Sequence, residues 1–592
     1  MLNPHSDRVD YGHMLRAPAG FSLSYALATS FTLELDTLIC LPLALCFDNT
    51  LEGELAGEKL ALLEAIGQLN GRLKVFFQQG NIKIPLQFNR LFTLLEPCLA
   101  PVVPESAFAS FHPKAWLLRF LGPGNEVAYR LIVLSRNLSF DRSWDLAVTL
   151  EGRVGSQVLA ESDGLRELLA ALKPGARDFA RAFACFEKEL PRVSWRKPLG
   201  FQSLKTLAGG PQSVPLELGG ETSQVLVMSP FLDPKALDWI GKRGEKHWLL
   251  SRAEELDRIG AQALAQWRCF ALSDRVVSGE DELDGARAQN LHAKLVAVQN
   301  GATTHWHVGS ANATRAALGD GNVRPRNTEF MVRLTGRGEE VCIDRLLREL
   351  VGAEEKPPGI FVPHEFSEQA ETEELLSDTE RRKLEHALIK APWKMTATLS
   401  GDGTYQCEVR CETVLPIPPA CAVEVGQLAS DAFVAFSPVM AWSGLALTQI
   451  SAFLPIRVRA DGAERPVIQL MLKAALAMPG GDGRVQKIMH ELIDTPEKFL
   501  AYVRLLLLPD PEKAEWFDVD VGRGQGPGEE SLNRLFDGPV FESLLRSAAR
   551  QPEQIKRIDA LLESLQAAKA PVPEDFARLW AHFRIYAQGK RR

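Results

Sequence analysis

The sequence predicts a mixed α/β protein with two similar lobes in one chain, followed by a β-rich and then a helical extension. Three observations support this fold class: a set of polar motifs occurs twice, β-prone runs surround each copy, and helical runs intervene. The chain has 592 residues, of which 46% are apolar and 24% charged. This length and composition are typical of several globular domains.

The repeat has three parts in the same order in both copies. An H-x-K triplet leads into an apolar run, an S-x-N triplet follows a second run, and an acidic residue precedes a third. The two sets are His112, Lys114, Ser135, Asn137 and Asp145, and His292, Lys294, Ser310, Asn312 and Glu329. Such self-similarity in order and residue class is hard to produce by chance.

Each lobe is expected to be α/β because strand-like and helix-like runs alternate. Gln224–Pro230 and His247–Ser251 are apolar runs that end in turn residues, which predicts buried strands. Ser156–Leu172 and Pro234–Ile240 predict helices between the strands.

Composition changes divide the chain further. A linker rich in Pro and Gly covers Ala353–Gly359, and an acidic helical stretch covers Glu371–Leu388. Alternating residues in Tyr405–Cys411 favour strands, whereas Pro and Gly interrupt amphipathic helices from Arg484 onward. The predicted units are a first lobe (1–195), a second lobe (196–352), a linker and β-rich domain (353–480) and a helical module (481–592).

The paired histidines and lysines favour phosphodiester chemistry. Displacement at phosphorus needs a nucleophile, a proton for the leaving oxygen and groups that bind the charged oxygens. One neutral histidine attacks and the other, protonated, acts as general acid. Residues two apart in a strand share a face, so Lys114 accompanies His112 and Lys294 accompanies His292 toward the phosphate.

The remaining motif residues are expected to support this chemistry. The serine and asparagine of each S-x-N triplet can donate hydrogen bonds to the phosphate oxygens. Asp145 and Glu329 are expected to hold the outer nitrogen of each histidine and so fix its tautomer. None of these roles requires a metal ion or another cofactor.

These residues, in this order and duplicated, resemble the phospholipase D superfamily over about the first 350 residues. That family's motif continues with an aspartate five residues past the lysine, then G-S-x-N and a later glutamate. Here Arg119 and Gln299 occupy the aspartate positions, and the glycine is kept as Gly309 but is Leu134 in the first copy. These departures resemble the tyrosyl-DNA phosphodiesterase branch.

The resemblance implies two phospholipase D-like lobes that face each other across a pseudo-twofold axis, with one active site between them. It implies that His112 is the nucleophile, through a phosphohistidine intermediate, and that His292 is the acid. The function expected is a metal-independent nuclease acting on DNA or RNA. A setting in prokaryotic genome defence or repair follows only from analogy with multidomain members.

Two other functions remain open. A lipid phosphodiesterase would carry an exposed apolar rim or an interfacial helix, and the first 350 or so residues show neither. A catalytically silent nucleic-acid-binding subunit would keep its binding when His112 is replaced. The C-terminal region offers a surface for a protein partner, and the tandem lobes are compatible with a monomer.

Charge and cysteine content bear on partners and compartment. The net charge of −8 argues against a basic surface throughout but allows a local basic groove, and Arg315, Arg324 and Arg326 cluster near the second motif. Nine scattered cysteines form no disulfide framework. No run of about 20 apolar residues is present and the N-terminus lacks a secretory pattern, so a cytoplasmic protein without membrane contact is expected.

Two groups of possible metal ligands favour packing instead. His305 and His307 alternate in a strand-like run, where packing or substrate contacts are commoner roles. Cys407, Cys411 and Cys421 lack a nearby fourth ligand, and cysteine is usually a buried packing residue.

Overall fold

The computed structural model describes residues 11–46, 55–139, 143–213, 218, 223–242, 244–273, 290–352, 359–367 and 376–493, and scattered positions from 495 to 581. Helices and several β-sheets alternate along these residues, so the predicted mixed α/β class is confirmed.

The first sheet is built from the N-terminal third of the chain. Its strands and those of a small neighbouring sheet are β1 (Ser22–Ser30), β2 (Leu33–Glu34), β3 (Leu73–Gln78), β4 (Ile82–Lys83), β5 (Leu99–Val102), β6 (Ala115–Leu121), β7 (Val127–Leu134), β8 (Ala147–Val154) and β9 (Val193–Trp195). The seven-stranded order is β5-β3-β1-β6-β7-β8-β9, while β2 pairs with β4. The first three strands are parallel and the others antiparallel.

The second sheet has eight strands in the order β10-β16-β15-β14-β11-β12-β13-β17. They are β10 (Phe201–Gly209), β11 (Gln224–Met228), β12 (Lys246–Ser251), β13 (Arg268–Leu272), β14 (Leu295–Asn300), β15 (Thr303–Gly309), β16 (Glu329–Arg337) and β17 (Phe361–Pro363). β11 and β12 are the two strands predicted upstream of the second motif. β17 lies beyond the predicted linker Ala353–Gly359, so this sheet extends into the unit 353–480 that was predicted to hold the linker and the β-rich domain.

Six strands of each sheet follow the same order and the same directions. The run β5-β3-β1-β6-β7-β8 in the first sheet corresponds to β13-β12-β11-β14-β15-β16 in the second, each with three parallel strands followed by antiparallel ones. Each H-x-K triplet ends immediately before the central antiparallel strand, β6 or β14. The two motif sets therefore occupy equivalent places in two sheets.

Helices cover the sheets, and one apolar core contains residues of both. The helices are Tyr11–Leu15, Leu35–Cys46, Leu55–Leu69, Phe92–Leu95, Asp163–Leu172, Ala180–Glu189, Pro234–Gly241, Ala253–Ile259, Arg315–Leu318, Ile343–Leu350, Asp378–Lys390 and Arg484–Leu492. Within the described part of the chain, no helix has the length and apolar character needed to cross a membrane.

One predicted helix begins later than expected. The run Ser156–Leu172 forms a helix only from Asp163, because a 3-10 turn precedes it and the Ser162 hydroxyl accepts a hydrogen bond from the Trp195 indole at 2.9 Å. Gly164 lets this helix approach the second sheet, since a Cβ there would lie 2.5 Å from the Thr206 carbonyl oxygen.

The predicted β-rich region contains two four-stranded sheets, ordered β22-β19-β18-β25 and β21-β20-β23-β24. The strands are β18 (Lys394–Leu399), β19 (Tyr405–Arg410), β20 (Cys421–Gly426), β21 (Phe433–Ala435), β22 (Val439–Leu445), β23 (Phe453–Ala460), β24 (Ile468–Lys473) and β25 (Ala475–Ala477). Cys407 and Cys411 are buried in the core of this region, and Cys421 packs against it, as expected for packing residues.

The β-rich region is docked on the first sheet by polar contacts. Gln79 donates to the Lys473 carbonyl oxygen at 3.0 Å and accepts from the Lys473 amide at 3.1 Å. Beside this contact, the Arg484 guanidinium donates to both carboxylate oxygens of Glu96 at 3.0 and 2.8 Å. Both side chains are at least nine-tenths buried, so this ion pair stands at the junction of the two regions.

The acidic stretch predicted to be helical from Glu371 to Leu388 is a helix from Asp378 to Lys390, and residues 368–375 lie outside the described part. The predicted helical module begins with the helix Arg484–Leu492, and most of the chain after residue 493 also lies outside the described residues.

We expect Arg484→Met to lower the free energy of unfolding by about 3 kcal/mol, because it leaves the buried Glu96 carboxylate without its charged partner. Chemical denaturation measures this change. The control is Lys173→Met at the exposed pair with Glu187, where a loss under about 1 kcal/mol is expected. Equal losses in the two variants would contradict a structural role for the buried pair.

Candidate active site

Backbone hydrogen bonds join the two sheets at the motifs, where the chain enters the motif-bearing strands. The His112 amide donates to the Thr328 carbonyl oxygen at 2.8 Å, and the His292 amide donates to the Trp144 carbonyl oxygen at 2.9 Å. Thr328 precedes Glu329, just as Trp144 precedes Asp145, so the two contacts are equivalent in the repeat. The histidine of each H-x-K triplet is therefore bonded to the residue that precedes the acidic motif residue of the other sheet.

Glu329 binds the histidine of the opposite set. Its Oε2 atom lies 2.9 Å from His112 Nδ1 and accepts from the Ser310 hydroxyl at 2.5 Å, while its Oε1 accepts from the Asn327 amide at 3.1 Å. The sequence grouped Glu329 with His292, and that grouping is wrong for this contact. The reason is that the His112 amide is bonded to Thr328 of the other sheet, which brings the start of β16 next to the first H-x-K triplet.

The protonation of this pair suits nucleophilic attack. Burial lowers the pKa of His112 to about 4, although the Glu329 charge opposes this shift. Burial raises the pKa of Glu329, but the charge and hydrogen bond of His112 and the charge of Lys114 outweigh it, so the net pKa is lowered. A neutral ring beside an ionised carboxylate donates from Nδ1 to Oε2, which leaves the lone pair on Nε2.

The two motif lysines occupy equivalent buried positions. Lys114 donates to the His112 carbonyl oxygen at 3.2 Å, and Lys294 donates to the His292 carbonyl oxygen at 2.7 Å. Lys294 also reaches the Ser135 carbonyl oxygen of the first sheet at 3.4 Å. Two ammonium groups, each about 97% buried or more, thus place positive charge at the junction of the sheets.

The motif serines donate hydrogen bonds to the two acidic motif residues. Ser135 donates to Asp145 at 3.1 Å, and Ser310 donates to Glu329 at 2.5 Å. A hydroxyl has one proton, which is used here. Without substrate these serines therefore hold the acidic side chains in place, and their donation to phosphate oxygens stays a prediction.

The two motif asparagines differ in their contacts. The Asn137 side-chain oxygen accepts from the Thr32 amide at 3.4 Å. The Asn312 side-chain oxygen is buried and has no hydrogen-bond partner among the residues that the structure describes. Among the described residues, nothing donates a hydrogen bond to the side-chain oxygen of Asn312.

A second duplicated element holds the loops of the asparagines. It reads S-x-x-L followed by an acidic residue, at Ser30–Glu34 and Ser229–Asp233, directly after β1 and β11. Each serine donates to the carbonyl two residues on and accepts from the amide that follows the motif asparagine. The distances are 2.6 Å (Ser30 to Thr32), 3.0 Å (Leu138 to Ser30), 2.7 Å (Ser229 to Phe231) and 3.0 Å (Ala313 to Ser229).

This element extends the sequence repeat to the N-terminal side of each H-x-K triplet, so the sequence carries a signal for it. A third equivalent pair has no such signal, because its residue types differ. Gln78 accepts from the Phe111 amide at 2.9 Å, and Arg252 donates to the Leu291 carbonyl oxygen from Nε at 3.1 Å and Nη2 at 2.9 Å. Each side chain holds the residue that precedes a motif histidine.

The positions that carry aspartate in the phospholipase D motif have structural contacts here. Arg119 forms two hydrogen bonds of 2.8 Å with the Glu189 carboxylate and one of 2.9 Å with Ser24. The Gln299 side chain accepts from the Ile343 amide at 2.9 Å. Both side chains therefore fix elements that pack on the sheets.

The other polar candidates are engaged in packing contacts. His305 Nδ1 lies 2.8 Å from the Thr335 hydroxyl, and the buried His307 has Nδ1 3.2 Å from the Val296 carbonyl oxygen. Among the described residues, no group of three or more His, Cys, Asp or Glu is arranged to hold a metal ion.

Of the arginines that suggested a basic groove, Arg315 pairs with Asp233 at 3.0 Å, and the Arg326 guanidinium lies 6.0 Å from the Phe108 ring centroid. Arg324 is exposed. Positive charge near the second motif is thus partly neutralised.

Comparison with known proteins finds no matching family model and no matching curated protein. Among solved structures, the chain is similar to yeast tyrosyl-DNA phosphodiesterase, with a TM-score of 0.34, 13% identity, and coverage of 55% of this chain and 85% of that chain. A variant of that protein gives a TM-score of 0.35, 12% identity, and coverage of 55% and 84%. These values mark a distant similarity.

The lowered pKa predicts that the His112 ring stays neutral from neutral pH down to about pH 4. Titration followed by NMR of the ring resonances measures this midpoint. Glu329→Gln should lower it further, since the carboxylate raises the pKa of His112 and the variant removes its charge. A midpoint near 6.5, or an upward shift in the variant, would contradict the described pairing.

Proposed function

We propose that the chain is a metal-independent phosphodiesterase that cleaves nucleic acid, with one active site between two phospholipase D-like lobes. The observation that carries the proposal is the hydrogen bond between His112 Nδ1 and Glu329 Oε2 across the junction of the sheets, at 2.9 Å. It orients a neutral imidazole with its lone pair on Nε2, beside two buried ammonium groups. The matching strand orders of the two sheets also support the two-lobe reading.

In the proposed first step, His112 Nε2 attacks phosphorus while the bond to the leaving oxygen breaks. A protonated His292 transfers its proton to that oxygen, and a phosphohistidine forms on His112. In the second step, water attacks phosphorus, its proton passes to His292, and the P–N bond breaks. The enzyme returns to its starting state, so atoms and charge balance over the cycle.

The proposed groups for the non-bridging oxygens are Lys114, Lys294, Asn137 and Asn312. A buried ammonium interacts with developing negative charge more strongly than an exposed one, because little water screens it. In this scheme the asparagine amide nitrogens donate to the non-bridging oxygens, and the unused side-chain oxygen of Asn312 accepts a hydrogen bond from the attacking water. Asp145 and Glu329 act as positioning residues through the serines and His112.

Nucleic acid is the proposed substrate because the motif departures at Arg119 and Gln299 resemble the tyrosyl-DNA phosphodiesterase branch. Two arginines also place positive charge near the motifs. Arg252 donates to the carbonyl oxygen of Leu291, one residue before His292, and Arg326 lies three residues before Glu329. A protein partner for the C-terminal region, a cytoplasmic location and a role in genome defence or repair stay predictions.

We expect the purified protein to cleave single-stranded DNA, duplex DNA or RNA in EDTA, and not phosphatidylcholine. His112→Asn and His292→Asn should each reduce the rate at least about 1,000-fold, as loss of a triad member does elsewhere. The matched control is His13→Asn, at an exposed helical position outside the site, which should retain the wild-type rate. Product formation on denaturing gels measures each rate.

Reactions with labelled substrate, stopped with SDS at alkaline pH because the P–N bond is acid-labile, should trap a covalent phosphate adduct on His112 in the His292→Asn variant. An adduct on His292 would reverse the two roles. Cleavage abolished by EDTA would contradict the metal-independent mechanism, and unchanged binding without cleavage would favour a silent binding subunit. Cleavage of phosphatidylcholine alone would favour a lipid phosphodiesterase.

A further inference from the structure

The two halves of the site differ in a pair of side chains beside His292. Arg252 stands where the first sheet has Gln78, and Phe231 stands where it has Thr32. The Arg252 guanidinium lies over the Phe231 ring, 4.8 Å from its centroid. Phe231 is nevertheless 47% exposed. The first half has Phe31, whose ring packs against the His112 ring at 5.2 Å and has the Lys114 ammonium 5.7 Å from its centroid. The second half instead has an exposed ring stacked with a guanidinium.

Hydrogen bonds tie this pair to the site on both sides. Arg252 donates twice to the Leu291 carbonyl oxygen, one residue before His292. The Phe231 carbonyl oxygen accepts from Ser229, which also accepts from the amide that follows Asn312. The ring and the guanidinium are therefore held in fixed positions next to two proposed catalytic residues. Fixed, exposed aromatic rings beside arginine are suited to stacking with unpaired bases.

We propose that Phe231 and Arg252 form a subsite for the nucleotide on the leaving-group side of the scissile phosphate in a single-stranded polynucleotide. This inference rests on the proposed function, in which His292 protonates the leaving oxygen and so marks the leaving-group side. The base stacks on the exposed part of the Phe231 ring, and the Arg252 guanidinium attracts the next phosphodiester. A paired base keeps its stacking partners in a duplex, so the subsite favours single strands.

The ends of the products made from a single-stranded oligonucleotide show which P–O bond is cleaved and so which nucleoside leaves. The test then compares the dinucleotide dTpdT with the methyl ester of thymidylate in which methanol replaces that leaving nucleoside. For Phe231→Ala, the ratio of kcat/KM on dTpdT to that on this methyl ester should fall about 10-fold or more, because only dTpdT then has a leaving base. Leu399→Ala removes a 63% exposed side chain in the β-rich region and should leave the ratio unchanged.

Three results would overturn the subsite. The first is an unchanged ratio for Phe231→Ala. The second is a Phe231→Ala loss on duplex DNA as large as on single strands. The third is an equal loss on a p-nitrophenyl ester of thymidylate, which would assign the ring to an aromatic side-chain leaving group instead.

If the wild-type protein cleaves no phosphodiester, the proposed function fails, and binding then tests the subsite separately. Fluorescence anisotropy with a labelled single-stranded oligonucleotide should show weaker binding by Phe231→Ala and Arg252→Gln. Arg252→Gln introduces the residue of the equivalent position, and it should reduce the slope of log K against log salt by about 0.7. Wild-type affinity and slope in both variants would contradict the subsite.

Discussion

The site depends on one buried carboxylate, Glu329, whose cost of desolvation must be met by partners from both sheets. A buried charge is tolerated only when it is paired and hydrogen-bonded. Glu329 obtains a ring nitrogen from His112, a hydroxyl from Ser310 and an amide from Asn327. Ser310 and Asn327 belong to the same half as Glu329, whereas His112 comes from the first sheet, so the interaction that fixes the His112 tautomer also joins the two halves.

The backbone reinforces this arrangement on both sides of the junction. The amides of His112 and His292 are used in equivalent bonds to the opposite sheet, and the motif serines hold the two acidic residues in equivalent ways. The symmetry ends where the side chains differ in size and charge. Gln78 is neutral and Arg252 is charged, which gives the His112 and His292 surroundings different electrostatic character. Unequal surroundings suit two histidines with different proposed roles.

Much of the fold and site could be predicted because the motifs repeat and strand periodicity is local. The mixed α/β class, the strands β11 and β12 and the β-rich region required only residue pattern. The partner of Glu329 could not be predicted, because His112 lies 217 residues away in the chain and comes close only when the two sheets pack together. Arg252 was also missed, because Gln78 offers no residue match. The use of the motif serines depends on a hydroxyl's single proton and on which acceptor lies nearest, which spacing alone does not show.

Residues of both sheets are proposed to act on one phosphorus atom. A crystal structure with vanadate tests this most directly, because its trigonal bipyramidal form mimics phosphorus in displacement. We expect one vanadium bonded to His112 Nε2, with Lys114 and Lys294 near its oxygens and His292 on the opposite side. Vanadate bound within only one sheet, or bonded to neither histidine, would contradict it.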